Sequence, residues 1–173
     1  MGAQTTWSFN NTLGFAGMVD PTSQPEYLSM INAEASASIP IGRGVAFKTS
    51  SPDTDLDAIL PAAETAKFAG VVAHRMEYSR AYTTDGATFG DLDSTGIRAG
   101  KMMMVCTKGR ILVKCDSGCA PGDGLWVRGV AGAGEALGAL ENADDSTDMV
   151  DATARGTWLT SAAADGLAWL LLK

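Results

Sequence analysis

Any Ser-His-Asp chemistry in this chain would have to run through His74, the single histidine among 173 residues. That mechanism needs an imidazole held between a hydroxyl and a carboxylate. His74 closes the strand-like run Val71-Val-Ala-His74, on the face opposite Ala73, and no G-x-S-x-G elbow occurs in the sequence. It is read as a structural histidine. Cys106, Cys115 and Cys119 are odd in number and lack the paired C-x-x-C spacing of a zinc site; they are expected to be small buried thiols rather than ligands or a disulfide framework. The acidic run Asp144-Asp-Ser-Thr-Asp148-Met-Val-Asp151 carries oxygen ligands suited to Ca²⁺. It lacks the D-x-D-x-D-G spacing and the closing glutamate of an EF-hand loop, so a solvated turn is expected. Neither Gly14-x-x-Gly17 nor Gly129-x-x-Gly132-x-Gly134 builds a phosphate loop, since the first has no Lys-Ser/Thr and the second no following amphipathic helix. No catalytic residue, metal or cofactor is expected, and the chain does not read as an enzyme.

With the chemistry set aside, the chain's balance narrows its partners. Its net charge of −7 and pI near 4.6 tell against nucleic acid, because binding phosphates needs a basic face that releases counterions. No run of apolar residues is long enough to span a bilayer, and Met1 to Asn10 has neither the basic flank nor the apolar stretch of a signal peptide. A soluble, unexported protein without a membrane partner is expected. Apolar residues make up 46% of the chain, enough to bury a core.

The elements read as strands. Two apolar runs flank Lys108-Gly109 in Lys101 to Cys115, and a two-residue turn there would pair Cys106 with Ile111, Met104 with Val113 and Met102 with Cys115 on one apolar face; a slightly longer loop with Gly109 at positive φ is the alternative, since Lys is not the preferred first residue of such a turn. The opposite face, with Met103, Val105, Leu112 and Lys114, would be mixed. Ala120-Pro-Gly-Asp-Gly124 delivers the short strand Leu125-Trp-Val-Arg128, and Ile39-Pro-Ile-Gly-Arg-Gly44 with Val45-Ala-Phe-Lys48 is its echo. The echo points to two related halves. Leu167 to Leu172, after Asp165-Gly166, reads as a last strand buried on both faces.

Short strands between Gly-rich turns predict a mainly β fold, an antiparallel β-barrel or β-sandwich over 39–173. An extended N-terminal arm, 1–38, precedes it, and long loops at 49–67 and 79–99 interrupt it, the first with one helical turn near Pro61-Ala-Ala-Glu64. Long irregular stretches that carry aromatics are expected to be adhesive. The interface residues they supply are Trp7, Phe9, Phe15 and Met18 in the arm and Tyr82 and Phe89 in the second loop. A soluble ligand-binding β domain, for example for glycans, would instead show several aromatics on one face; Trp126, Trp158 and Trp169 fall in apolar strands that read as core.

Taken in order, Thr6-Trp-Ser-Phe9, Gly14-Phe-Ala-Gly-Met-Val-Asp20, Ile41-Gly-Arg-Gly-Val-Ala46, Phe68-Ala-Gly-Val-Val72, Lys108-Gly-Arg-Ile-Leu-Val-Lys114, Gly122-Asp-Gly-Leu-Trp-Val127 and Trp158 to Ala168 resemble phage structural cement proteins of the Gp24-like group. The resemblance implies a non-enzymatic capsid decoration protein that binds the major capsid protein of an assembled shell and staples neighbouring subunits. It implies a homodimer or homotrimer at a capsid symmetry axis, on the outer surface of the virion. A head-tail or tail structural component is the alternative within the same particle.

Overall fold

The computed structural model describes residues 14–48, 56–74, 96–132, 136–144 and 148–173. In chain order the strands are β1 (Met18–Val19), β2 (Glu26–Asn32), β3 (Gly44–Phe47), β4 (Asp57–Ile59), β5 (Phe68–Val72), β6 (Met102–Cys115), β7 (Trp126–Arg128), β8 (Leu140–Glu141), β9 (Met149–Asp151), β10 (Gly156–Trp158) and β11 (Gly166–Leu172). Among the described residues the only helical element is a three-residue 3-10 turn, Pro21–Ser23. Asp20 caps it, its Oδ1 accepting from the Thr22 amide at 2.9 Å and the Thr22 hydroxyl at 2.7 Å, while Pro21 presets φ.

The expected hairpin at Lys101 to Cys115 is not formed. Instead β6 runs unbroken for 14 residues through Lys108 and Gly109. Its first half pairs with β2, from Ile31 opposite Met102 to Glu26 opposite Lys108, and its second half with β11, from Leu172 opposite Gly109 to Gly166 opposite Cys115. A bulge stands where the turn was expected. Glu26 and Tyr27 are consecutive on β2, but their partners Lys108 and Cys106 leave Thr107 over. One extra residue inverts the alternation beyond it, so Cys106 and then Ile111, Val113 and Cys115 all enter one core. A two-residue turn and a bulged strand put these same four side chains on one face, which is why the apolar pattern fits both. They part at the far end: Met102 is 64% exposed and Met104 half-buried, whereas Met103 and Val105, from the face expected to be mixed, are fully buried in a second core.

Two rings share β6. One closes through β5, β3, β4 and β2 back to β6, a five-stranded barrel around Met30, Val45, Val72, Met103 and Val105. The other passes from β6 to β11 and β10, crosses the bridge between Thr157 and Gly124 to β7, and returns through β8. It encloses Cys106, Ile111, Val113, Leu125, Trp158 and Leu170. Pairing is mostly antiparallel, but β2–β4 and β6–β8 are parallel, so the sheet is mixed rather than antiparallel throughout. The β5–β6 wall divides the cores, with Val71 facing one and Val72 the other. Gly70 makes that wall possible, because a Cβ there would lie 2.3 Å from the Cys106 carbonyl oxygen.

The echoing segments sit in matching places: Pro40 to Arg43 turns into β3 of the first ring, and Ala120 to Asp123 turns towards β7 of the second. The segment 1–38 differs from the expected arm over its described part. β1 pairs with β6, Met18 opposite Leu112, and β2 is a barrel strand; alternate apolar positions of β2, Leu28 and Met30, pack into the core while Glu26 and Tyr27 face out. Likewise the loop 49–67 contains β4, and the expected helical turn near Pro61 to Glu64 is instead a single turn from Ala63 to Ala66, the Ala66 amide donating to the Ala63 carbonyl at 3.1 Å. The C-terminal strand forms as expected, but with alternating burial: Ala168, Leu170 and Leu172 are buried and Leu167, Trp169 and Leu171 half-buried.

Candidate docking surface

Of the six expected interface residues, Phe15 and Met18 lie in the described structure; Trp7 and Phe9, like Tyr82 and Phe89, lie outside the described residues. Met18 is half-buried in β1. Phe15 is 44% exposed and meets His74 edge-on, ring centroids 4.4 Å apart at 61°. The His74 amide donates to the Gly17 carbonyl at 2.8 Å, which ties the segment before β1 to the end of β5. Among the described residues its Nε2 has no hydrogen-bond partner, and burial pulls its pKa below the usual 6.5. A neutral imidazole edged by a phenyl ring is a packing element; a catalytic histidine would need its ring nitrogens engaged by base and orienting partners.

Beside Phe15 a groove of about 500 Å³ opens where the two rings meet, between Gly14 to Ala16, the Pro40 to Arg43 turn, Lys114 of β6 and Leu167 of β11. Its lining is mixed, with the apolar side chains of Ile41, Leu140 and Leu167 beside Arg43, Lys114 and Asp165. Four charges stand at or behind its rim and neutralise one another. Arg43 Nη1 lies 3.2 Å from Asp116 Oδ2, and Lys114 Nζ lies 2.8 Å from Asp165 Oδ1 and 3.7 Å from Asp116 Oδ1. The hydrogen bond to Asp165 raises the Lys114 pKa, so its charge is secure. Such a surface offers apolar contact with no net charge. The sequence reading missed it, because its members come from five separated segments; the Gly-Arg-Gly turn and the Asp165-Gly166 corner were the only local signs.

The remaining chemical candidates are structural. All three thiols are unbonded and buried. Burial pushes Cys106 to about 11 and Cys115 to about 12, and it raises Cys119 as well. In the acidic run, Asp151 is committed to the Thr153 amide and hydroxyl at 2.9 and 2.7 Å. Among the described residues no group of three His, Cys, Asp or Glu side chains could hold a metal ion. Trp158 is fully buried, with its Nε1 donating to the Glu141 carbonyl, and Trp126 and Trp169 are half-buried. One feature had no expectation attached: Arg128, the last residue of β7, is buried and forms an ion pair with Glu141 at 2.8 Å.

The whole of this architecture has a counterpart among phage proteins. A family model described as "Structural cement protein (E217 gp24/Pam3 gp6)" matches residues 3–173. The chain belongs to the phage structural cement family. A solved chain from the capsid of Myoviridae phage XM1 has the same fold at 18% sequence identity, with a TM-score of 0.62 over 95% of this chain and 97% of that one. A search of curated proteins finds no match. Membership of the cement family assigns the chain a structural role in the phage capsid, in keeping with a non-enzymatic protein, and the β-barrel is its scaffold.

Proposed function

We propose that the chain decorates the outer surface of the virion, binding the assembled major capsid protein and holding neighbouring coat subunits together as a homodimer or homotrimer. The observation that carries this reading is the family match over residues 3–173. The geometry agrees with it. The barrel and the strands beside it give a body with a groove of no net charge, lined in part by Gly14, Phe15, Ile41 and Leu167. Aromatic anchors in a desolvated groove are the usual source of interface energy, and repetition over a shell converts modest contacts into firm retention.

The adhesive part is the segment 1–13, with Trp7 and Phe9, rather than all of 1–38, since β2 is a barrel strand and β1 pairs with β6. Tyr82 and Phe89 supply a second contact. The experiment is to add the protein to bare shells and follow heat-induced rupture by light scattering. Full-length protein should raise the rupture temperature, and a form lacking residues 1–13 should melt as an isolated protein with little change yet protect shells far less. Equal protection by both forms would move the adhesive surface to the loops; no protection by either would remove the cement reading. Cryo-EM of decorated particles separates a shell position from a head-tail one.

A further inference from the structure

We infer that copies of this chain join head to tail, the Ala120 to Asp123 turn on the second ring of one copy seating on the open end of the first ring of the next, around Ile31, Leu56 and Met102. The inference deepens the cement reading by naming the face on which copies meet, and rests on that reading for its purpose alone.

The two rings are built on one plan. In the first, the Gly42 amide donates to the Val72 carbonyl and the Val72 amide to the Arg43 carbonyl; in the second, Gly122 donates to Trp158 and Trp158 to Asp123. The Ile39–Ile97 bridge recurs as Cys119–Ala162. The parallel pairing of β2 with β4 recurs as that of β6 with β8, and Ile31 opposite Met102 recurs as Lys114 opposite Leu167. Positions of one ring therefore have counterparts in the other. Within the chain the rings meet through unlike parts. The Pro40 to Arg43 turn of the first stands over the end of the second at Lys114 and Leu167. Arg43 reaches Asp116 at 3.2 Å, and the Gly44 amide donates to the Gly138 carbonyl at 2.9 Å.

One more of each part is left over. The counterparts of Lys114, Gly138 and Leu167 are Ile31, Leu56 and Met102, and these are 37, 49 and 64% exposed. The counterpart of the Pro40 to Arg43 turn, Ala120-Pro-Gly122 with Asp123, is also exposed over its first three residues. Since both surfaces stand open in the same chain, the chain's own turn does not cover its own open end. Contiguous exposed apolar side chains mark an interaction site, and the contact already made between the rings shows what fits this one. The chemistry agrees. Pro121, in the place of Ile41, presents an apolar knob. Asp123 takes the place of Arg43, and the open end carries the exposed base Lys101 in the place of Gly166, so the ion pair of the inner contact is answered with its signs exchanged. A head-to-tail contact closes into a ring where the rotation allows, which favours the homotrimer.

The test uses the full-length chain and two variants at exposed positions, Met102→Glu and Pro121→Glu, in sedimentation velocity. The wild type should associate, and each variant alone should show a dissociation constant raised by about tenfold or more with its circular dichroism unchanged. Mixed, the two variants should form 1:1 pairs, because the intact turn of the Met102→Glu chain meets the intact open end of the Pro121→Glu chain. A wild type that stays monomeric at high micromolar concentration would overturn the inference. So would undiminished association of either folded variant, or a mixture no more associated than its parts. With p-benzoylphenylalanine in place of Met102, irradiation of mixed isotopically light and heavy protein should join position 102 of one chain to the peptide containing residues 120–123 of another; crosslinks to other surfaces alone would also overturn it. Shell protection is measured separately. Head-to-tail association without protection would remove the proposed function and leave this inference standing, and protection without association would do the reverse.

Discussion

Replacing Gly109 by alanine should cost the fold about 1–3 kcal/mol, and the reason is the kink that carries β6 from one ring to the other. Gly109 has φ +112°, a region where an L-residue is strained by about 1–3 kcal/mol. Its hydrogens face the chain rather than water: a Cβ there would lie 3.0 Å from both Pro25 Cα and Ser23 Oγ. Ser23 is fixed in turn, because its Oγ accepts from the Arg110 amide at 2.9 Å and donates to the Asp20 carbonyl at 2.6 Å, so relief must come from backbone movement. Against this, alanine restricts the unfolded chain and returns roughly 0.4–1 kcal/mol. The net loss should lower the melting temperature by roughly 2–12 °C at about 2–4 °C per kcal/mol for a domain of this size. The assay is thermal unfolding by circular dichroism of the wild type, Gly109→Ala and Gly109→Asn. Asparagine discriminates, since it favours the left-handed turn conformation near φ +57° and would be well accepted in a two-residue hairpin, yet it relieves neither the contact with Pro25 nor a φ of +112°. A Gly109→Asn variant as stable as the wild type would refute the continuous bulged strand.

Four tests address the core. Arg128→Met should destabilise by about 3–5 kcal/mol in urea unfolding, because it leaves Glu141 buried without its ion partner; adding Glu141→Gln to it should recover part of that loss. Val113→Asp should prevent soluble expression, as it sets a carboxylate among Ile111, Trp158 and Ala168 in a fully buried position. The native thiols should resist aromatic disulfide reagents at pH 8 and react after unfolding, since burial holds Cys106 at about 11 and Cys115 at about 12. Non-reducing mass spectrometry should find no Cys106–Cys115 bond, these two being nine residues and roughly 30 Å apart along β6. One test concerns pH. The folded state depresses the His74 pKa below 6.5, so below that value the unfolded chain binds the proton more readily and stability is lost as pH falls through the folded pKa. His74→Gln should flatten the stability profile between about pH 7 and 5, and an unchanged slope would assign the loss elsewhere.

Strand positions were legible in the sequence where local chemistry determines them, and pairing was not. The echo of Pro40 to Arg43 in Ala120 to Asp123 and the final strand after Asp165-Gly166 could be read because turn residues and apolar runs are local signals. The hairpin failed because the bulge at Thr107 preserves the inward set Cys106, Ile111, Val113 and Cys115, and only the partners of each half, β2 and β11, distinguish the two arrangements. Those partners lie far away in sequence. β2 was hidden in the expected arm for a similar reason: Glu26-Tyr-Leu-Ser-Met30 has one apolar face at most, and what makes it a strand is the unfilled side of β6. The groove was invisible because Ile41, Arg43, Lys114 and Leu167 converge only after both rings close.

The shared strand also decides how the protein meets a mechanical load. β6 is gripped along nearly its whole length, by β2 and β5 in its first half and by β1 and β11 in its second. A pull along it therefore loads those ladders in shear, and many bonds must break together. The same pull on a strand such as β9, which among the described residues pairs with β7 alone, opens bonds one after another. Tension applied between the two rings passes lengthwise through one continuous backbone, so a body in which β6 is the tie bar should fail by slow rupture at high force rather than by gradual peeling.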